Sequence, residues 1–291
     1  MQSGKTLRVF IGVVIMGLAL AGAFEGKPDS AFKGFLQLQI MPARLITDFT
    51  MVMGVGATLM NVAAVGALGL LFLRLTGLYP TGASTAALFT MMGFAFFGKT
   101  VLNCLPFMVG VALSALLVGK KPRDYALIAM FGTAMGPLVS FLAFELGVPA
   151  AWALPGSILI GVVIGVIMPP IAIEMLRLHQ GYCLYNTGLS VGFIGLFTAS
   201  ISHAAGANMS PLLAWRTEPA PLMYAIVPAI ALIALGCIVL ETRGGSYSLQ
   251  KLYRDYRSML RLTGRLPSDF CDLVSVPAAL LNAALLSMMY V

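Results

Sequence analysis

From Leu146 to Ile173 the chain carries no charged side chain. About 20 residues of helix cross a hydrocarbon core of about 30 Å, so a run of this length and apolarity belongs in a bilayer. The same pattern recurs along the chain and places nine candidate spans, at 8–24, 48–74, 80–97, 101–118, 124–147, 153–175, 181–203, 220–241 and 272–291. An open strand edge cannot satisfy its amides in lipid, so every span is expected to be helical and the fold class is an all-α polytopic transmembrane bundle. Only 10% of residues are charged, 59% are hydrophobic and the mean hydropathy is +0.93, whereas about 25% of residues are charged in soluble domains. The net charge of +7 therefore speaks to membrane topology rather than to nucleic-acid binding. Cys104, Cys183, Cys237 and Cys271 stand singly in apolar text, without metal-ligand spacing. They read as packing residues, and neither a metal nor a cofactor is expected.

One stretch of text occurs twice. RLITDFTMVMGVGATLMNVAAV, from Arg44, and RLPSDFCDLVSVPAALLNAALL, from Arg265, align without gaps and agree at 9 of 22 positions, among them Arg44/Arg265, Asp48/Asp269 and Asn61/Asn282. The chain then reads as a tandem repeat, with a first unit over 1–219 and an incomplete second unit over 220–291. Lys5 and Arg8 precede the first span and Ala21-Gly22-Ala23 closes it, which also suits a cleaved signal peptide. The repeat argues for a retained span, because span 8 precedes the second copy as span 1 precedes the first.

Cytoplasmic loops collect Lys and Arg. With the N-terminus inside, thirteen of the basic residues fall inside and five (Lys27, Lys33, Arg44, Lys99, Arg216) outside. Seven spans separate each residue from its copy, and seven is odd, so the copies are expected to point in opposite directions. Inverted repeats are a recurrent architecture of secondary transporters, with solute bound near the midplane. The second copy stops at its second span, which implies a truncated or split chain, or a partner that supplies the remainder.

GFAFFGKT, from Gly93 to Thr100, matches the phosphate-loop expression letter for letter. A phosphate loop follows a strand and needs a magnesium carboxylate; here both flanks are membrane-length apolar text, and nucleotide binding is rejected. What remains is Lys99 between two closely spaced spans. It is either an interfacial lysine whose ammonium reaches water, or it lines a solute path with Thr100 and Asn103 at a hairpin that re-enters the membrane, where charge is costly and usually functional. HQGYCLYNTG, from His179 to Gly188, places His179, Tyr182 and Asn186 three and four apart, on one helix face. That face is an interfacial belt with a helix-bridging amide or a polar path lining.

Gly132/Gly136, Gly161/Gly165 and Gly188/Gly192 repeat the spacing that lets helix backbones approach closely. Pro169-Pro170 should kink or end the sixth span. Arg44/Asp48 and Arg265/Asp269 sit four apart and read as paired clamps at helix starts, or as gates. The connector 246–262 alternates an apolar stripe with Lys251, Arg254, Arg257 and Arg261, the pattern of an amphipathic helix on anionic lipid.

GFAFFGK, RLITDF and HQGYCLYNTG resemble the motifs of a polytopic membrane-protein family, domain of unknown function family 1576. The resemblance covers nearly the whole chain. It implies two tandem copies of such a unit in fuller members, which would carry second GFAFFGK-like and HQGY-like segments beyond the point where this chain ends. It brings no substrate.

The expected function is a small-solute permease or channel in the cell membrane, with its N-terminus inside and without ATP hydrolysis. Its partners are the bilayer and an unidentified solute, with a second copy or a missing half-unit as further candidates. The rivals are a membrane-embedded enzyme, for which Glu174 and His179 are the nearest titratable pair yet share no helix face, and a scaffold that assembles through its glycine faces.

Overall fold

A computed structural model gives the fold and describes residues 2–25, 28–44, 47–180, 186–207, 214–245, 247–262 and 269–289. Among these the regular elements are helices: α1 (Gln2–Phe24), α2 (Pro28–Gln39), α3 (Phe49–Leu75), α4 (Gly82–Phe94), α5 (Val101–Leu117), α6 (Ala126–Gly132), α7 (Gly136–Phe144), α8 (Ala150–His179), α9 (Asn186–Ala204), α10 (Pro221–Arg243), α11 (Leu249–Met259), α12 (Phe270–Leu273) and α13 (Val276–Met288). Among the described residues six stretches are long and apolar enough to cross a membrane: Gly4–Phe24, Phe49–Leu75, Pro122–Phe144, Ala151–Leu178, Thr187–Ala204 and Pro221–Arg243. The three other expected spans, α4, α5 and α13, are shorter apolar helices. The chain is thus all-helical with the apolarity of a membrane protein.

Local chemistry sets several boundaries. Asp48 caps α3 by accepting from the Thr50 amide at 2.8 Å. Within two turns the helix breaks at Gly54, whose φ of 84° and ψ of 166° suit only a residue without a Cβ. Asp269 caps α12 by accepting from the Cys271 amide at 3.0 Å, and the chain leaves helical geometry at Val274 and Ser275 before α13. Pro169-Pro170 does not end α8, which continues to His179. Proline removes a donor, but packed neighbours let apolar helices carry it.

The chain forms two compact units. One comprises 1–17, 79–86 and 218–291, the other 18–78 and 87–217.

In the 18–78/87–217 unit, α5 packs along α8 through glycines. A Cβ on Gly165 would sit 2.6 Å from the Phe107 carbonyl oxygen, and one on Gly161 2.8 Å from Pro106 Cβ. Phe107, Val111, Val139 and Met168 fill the core around this crossing. Gly22 of α1 and Gly56 of α3 make a second close approach, with a Gly22 Cβ position 2.7 Å from the Gly56 carbonyl oxygen. Gly132 and Gly136 are separated by a 3₁₀ turn, Thr133–Met135, and face Met168 Sδ and Asn103 Oδ1, each 2.5 Å from the Cβ position. Gly188 is exposed and a Cβ on Gly192 would meet nothing within 4 Å.

In the other unit, α10 packs on α13 and α11 docks on α13. Thr6 donates to Glu241. Tyr247 is buried; its hydroxyl donates to Asp255 of α11 and lies 2.8 Å from Ser275 Oγ. Burial first, and then the Asp255 carboxylate, push this phenol up to about 12. Because the folded value lies above the ordinary 10.0, the contribution to stability is complete below about pH 10 and is lost as pH rises toward 12.

Two outcomes follow from the packing. Gly165→Val should lower stability by about 1–3 kcal/mol through overpacking, while Gly192→Val should change it by less than about 0.5 kcal/mol, both read from thermal melts in detergent. Tyr247→Phe should remove the most alkaline component of the tyrosinate absorbance titration; a wild-type titration with every tyrosine near the ordinary value would contradict the buried placement.

Candidate functional site

Helix α4 runs back along α3. Gly69 of α3 faces Leu88 and Met91, and further toward the start of α3 the Asn61 amide donates to the Ala95 carbonyl at 2.9 Å. There the chain turns. Gly98 has a φ of 77°, the left-handed conformation glycine tolerates, and α5 leaves in the opposite direction. Its first turn lies beside α7, where Asn103 bonds Ser140 Oγ at 3.0 Å; its end lies beside the start of the following helical stretch, where the Lys120 ammonium sits 5.1 Å from the Tyr125 ring centroid. Helices α4 and α5 are therefore the two arms of a hairpin whose tip is 95–100.

The far end of α7 is marked by Glu145, which pairs with Arg44 at 2.5 Å. Ser140, level with the tip, precedes Glu145 by little more than a turn, about 8 Å of helix. The tip thus stops short of the level of the Arg44–Glu145 pair.

The polar side chains around the tip find protein partners. Thr100 and Asn103 form a capping box at the start of α5: Asn103 Oδ1 accepts from the Thr100 amide at 2.9 Å, and the Asn103 amide donates to Thr100 Oγ1 at 3.3 Å. The Asn103 side-chain nitrogen also donates to the Gly98 carbonyl at 2.9 Å. Asn61 donates to the Lys99 carbonyl at 2.8 Å as well as to Ala95. Gln39, the last residue of α2, accepts from the amides of Val101 and Leu102 at 3.1 and 3.3 Å.

The Lys99 side chain is the exception in kind, because it is a cation. It is 1% exposed. Its Nζ donates to Thr133 Oγ1 at 2.9 Å and lies 5.1 Å from the Phe94 ring centroid. Among the described residues the ion pairs within 4.0 Å are Arg44–Glu145, Arg123–Asp124 and Arg177–Glu174, so no carboxylate there neutralises Lys99. An ammonium has three donors, and one is used by Thr133. No group of three or more metal-ligating side chains occurs among the described residues.

The structure brings Lys99, Thr100 and Asn103 together, and gives the last two a capping role. Gln180 takes a left-handed conformation with φ 55° and ends α8; His179 closes α8 and Asn186 opens α9. The side chains of His179 and Asn186, and the whole of Tyr182, lie outside the described residues, as does Arg265. The described members of the expected clamps make the following contacts. Arg44 pairs with Glu145, while Asp48 caps α3 and accepts from the Arg216 amide at 3.1 Å. Asp269 caps α12 and accepts from the Ala83 amide at 3.2 Å. Glu174 pairs with Arg177 on an exposed surface, away from any enclosed acid–base site.

Gln39, Thr133 and Ser140 escaped the sequence reading, and Asn61 entered it only as a match between the two copies. Asn61 had a signal, since it is a polar residue kept in both copies of the repeated text. The others look like ordinary polar residues at helix ends or within apolar helices.

The family model described as protein of unknown function (DUF1576) matches residues 27–204, which include α2 to α9 and the whole hairpin. The chain belongs to this family. No curated protein and no solved structure matches it.

Asn61→Leu should cost about 1–3 kcal/mol for each acceptor left bare at Ala95 and Lys99. A thermal melt should therefore show a loss well beyond that of an isosteric change on the exposed side of α3.

Proposed function

We propose that the protein is a permease or channel that carries a small solute across the cell membrane without ATP hydrolysis, by way of the α4–α5 hairpin. The observation that carries this reading is the buried Lys99 ammonium at the hairpin tip, with no described carboxylate to neutralise it. Charge in a membrane interior costs about 2.5–3.5 kcal/mol on insertion scales, and where it persists it marks a solute or ion route. A helix broken inside the bilayer is also how transporters present backbone groups to solute.

A repeat that carries Arg44 onto Arg265 with the opposite orientation supports the same reading. Helices α2 and α11 begin at Pro28 and Leu249, the same distance apart along the chain as those two arginines. Asp48 and Asp269 each cap a single helical turn by accepting from the amide two residues on. The breaks at Gly54 and Ser275 keep that spacing again. Counting α4 and α5 as a hairpin that enters and leaves on one face removes two crossings from seven, leaving five. Five is still odd, so the copies face opposite ways.

The excess of Lys and Arg in the first turns of α1, after α5 and around α11 supports a cytoplasmic placement of those segments. Helix α11 exposes Leu249 and Tyr253 and carries Lys251, Arg254 and Arg257, which suits an anionic leaflet surface.

Reconstituted liposomes challenged with gradients of chloride, acetate, phosphate and glycerol test the reading. At least one probe should cross faster than in protein-free liposomes, and Lys99→Met should cut that flux by about tenfold or more while leaving the melt cooperative. Flux equal to protein-free liposomes for every probe would sink the permease reading.

A further inference from the structure

Helix α2 is attached to the hairpin tip in an unusual way. Its last side chain, Gln39, accepts through Oε1 from the first two amides of α5, Val101 and Leu102, at 3.1 and 3.3 Å. Its Nε2 donates to Asn61 Oδ1 at 3.1 Å, and Asn61 in turn holds the Lys99 carbonyl. One neutral amide thus occupies the amide pair that opens α5, close in sequence to the buried ammonium.

The rest of α2 touches its own unit mainly along α3. Gly34 lies against α3, its Cβ position 2.8 Å from Ala57 Cβ. The opposite side is exposed at Phe32 and Leu36. Between α2 and the first turn of α3 there is an open cavity of about 880 Å³, lined by Asp29, Ser30, Lys33 and Gln37 of α2 and by Val52 and Met53. That first turn is set apart from the rest of α3 by the break at Gly54. Helix α2 therefore has space beside it and one polar anchor at its end. The anchor lies shortly before Arg44, whose pair with Glu145 marks the face that the hairpin does not reach.

We propose that α2 is a gate over this face of the hairpin tip, that Gln39 is its bolt, and that the solute it admits is a small anion. The proposal rests on the permease reading above. Withdrawal of Gln39 frees two amides at the positive end of the α5 dipole, two and three residues after Lys99 in the chain, and at the same moment Asn61 Oδ1 loses the donor that Gln39 supplies. What replaces Gln39 must accept hydrogen bonds. Lys99 without a described countercharge favours a carboxylate or an inorganic anion over a neutral or cationic solute.

Cys104 reports on the tip. It lies in the first turn of α5, five residues after Lys99, and is fully buried. In the full chain in liposomes, with Cys183, Cys237 and Cys271 changed to Ser, Cys104 is reacted with two membrane-impermeant methanethiosulfonates, one a sulfonate anion and one a quaternary ammonium, applied to the face carrying Lys33. Gln39→Ala should raise the rate roughly tenfold, with the anionic reagent faster. Gln39→Glu offers the same amides a charged acceptor and should slow the reaction below the parent rate. Lys99→Gln in the Gln39→Ala background should abolish the preference for the anion.

Equal rates in parent and Gln39→Ala overturn the gate, and so does acceleration by Gln39→Ala and Gln39→Glu alike, which is the mark of damaged packing. A faster reaction without charge preference overturns the anionic class. Failure of the permease reading looks different: Cys104 responds to Gln39 as expected, yet no probe solute crosses the liposomes.

Discussion

A backbone amide or carbonyl inside a hydrocarbon core has no water to bond, and each one left bare costs several kcal/mol. Interrupting an apolar hairpin at 95–100 exposes the last carbonyls of α4 and the first amides of α5 to that cost. The molecule meets it with side chains from four elements. Asn61 of α3 takes the Ala95 and Lys99 carbonyls, Gln39 of α2 takes the Val101 and Leu102 amides, Asn103 and Thr100 cap each other, and Ser140 of α7 accepts from Asn103. The places of α2, α3 and α7 around the tip all follow from this one requirement.

Close backbone approach makes the arrangement possible. Glycines at 110, 161 and 165 bring α5 onto α8, and the prolines of α5 and α8, at Pro106 and Pro155, sit within helices that continue through them. Lipid offers no hydrophobic drive for helices to associate, so dispersion between closely fitted surfaces has to hold them together. The Gly188/Gly192 pair shows that spacing alone does not create such a surface: it lies on an open face of α9.

The Lys99 ammonium is the element that structural satisfaction does not explain. A hairpin tip needs caps and carbonyl partners, but it has no need of a buried cation. Thr133 and the Phe94 ring stabilise it partly, through one hydrogen bond and a ring face. That residual positive charge, two residues before the helix whose first amides Gln39 covers, is what the proposed anion path rests on.

Much of this was legible in the sequence because it is local or compositional. Apolar length placed the helices, Thr100 and Asn103 stand at capping spacing, and the doubled text singled out Asp48, Asp269 and Asn61. Spacing alone decides less elsewhere. The spacing of His179 and Asn186 implies one face only if the helix is continuous, and the left-handed Gln180 ends it. Arg44 and Asp48 are four apart, yet Arg44 meets Glu145, 101 residues away. The sequence by itself determined a membrane chain of apolar helices, since apolar length depends on neighbours a few residues apart. Only the tertiary structure decided that α4 and α5 form a hairpin, that Lys99 is buried without a described carboxylate, and that Gln39 covers the tip. Those facts depend on partners 22 to 62 residues distant along the chain, which no local pattern encodes.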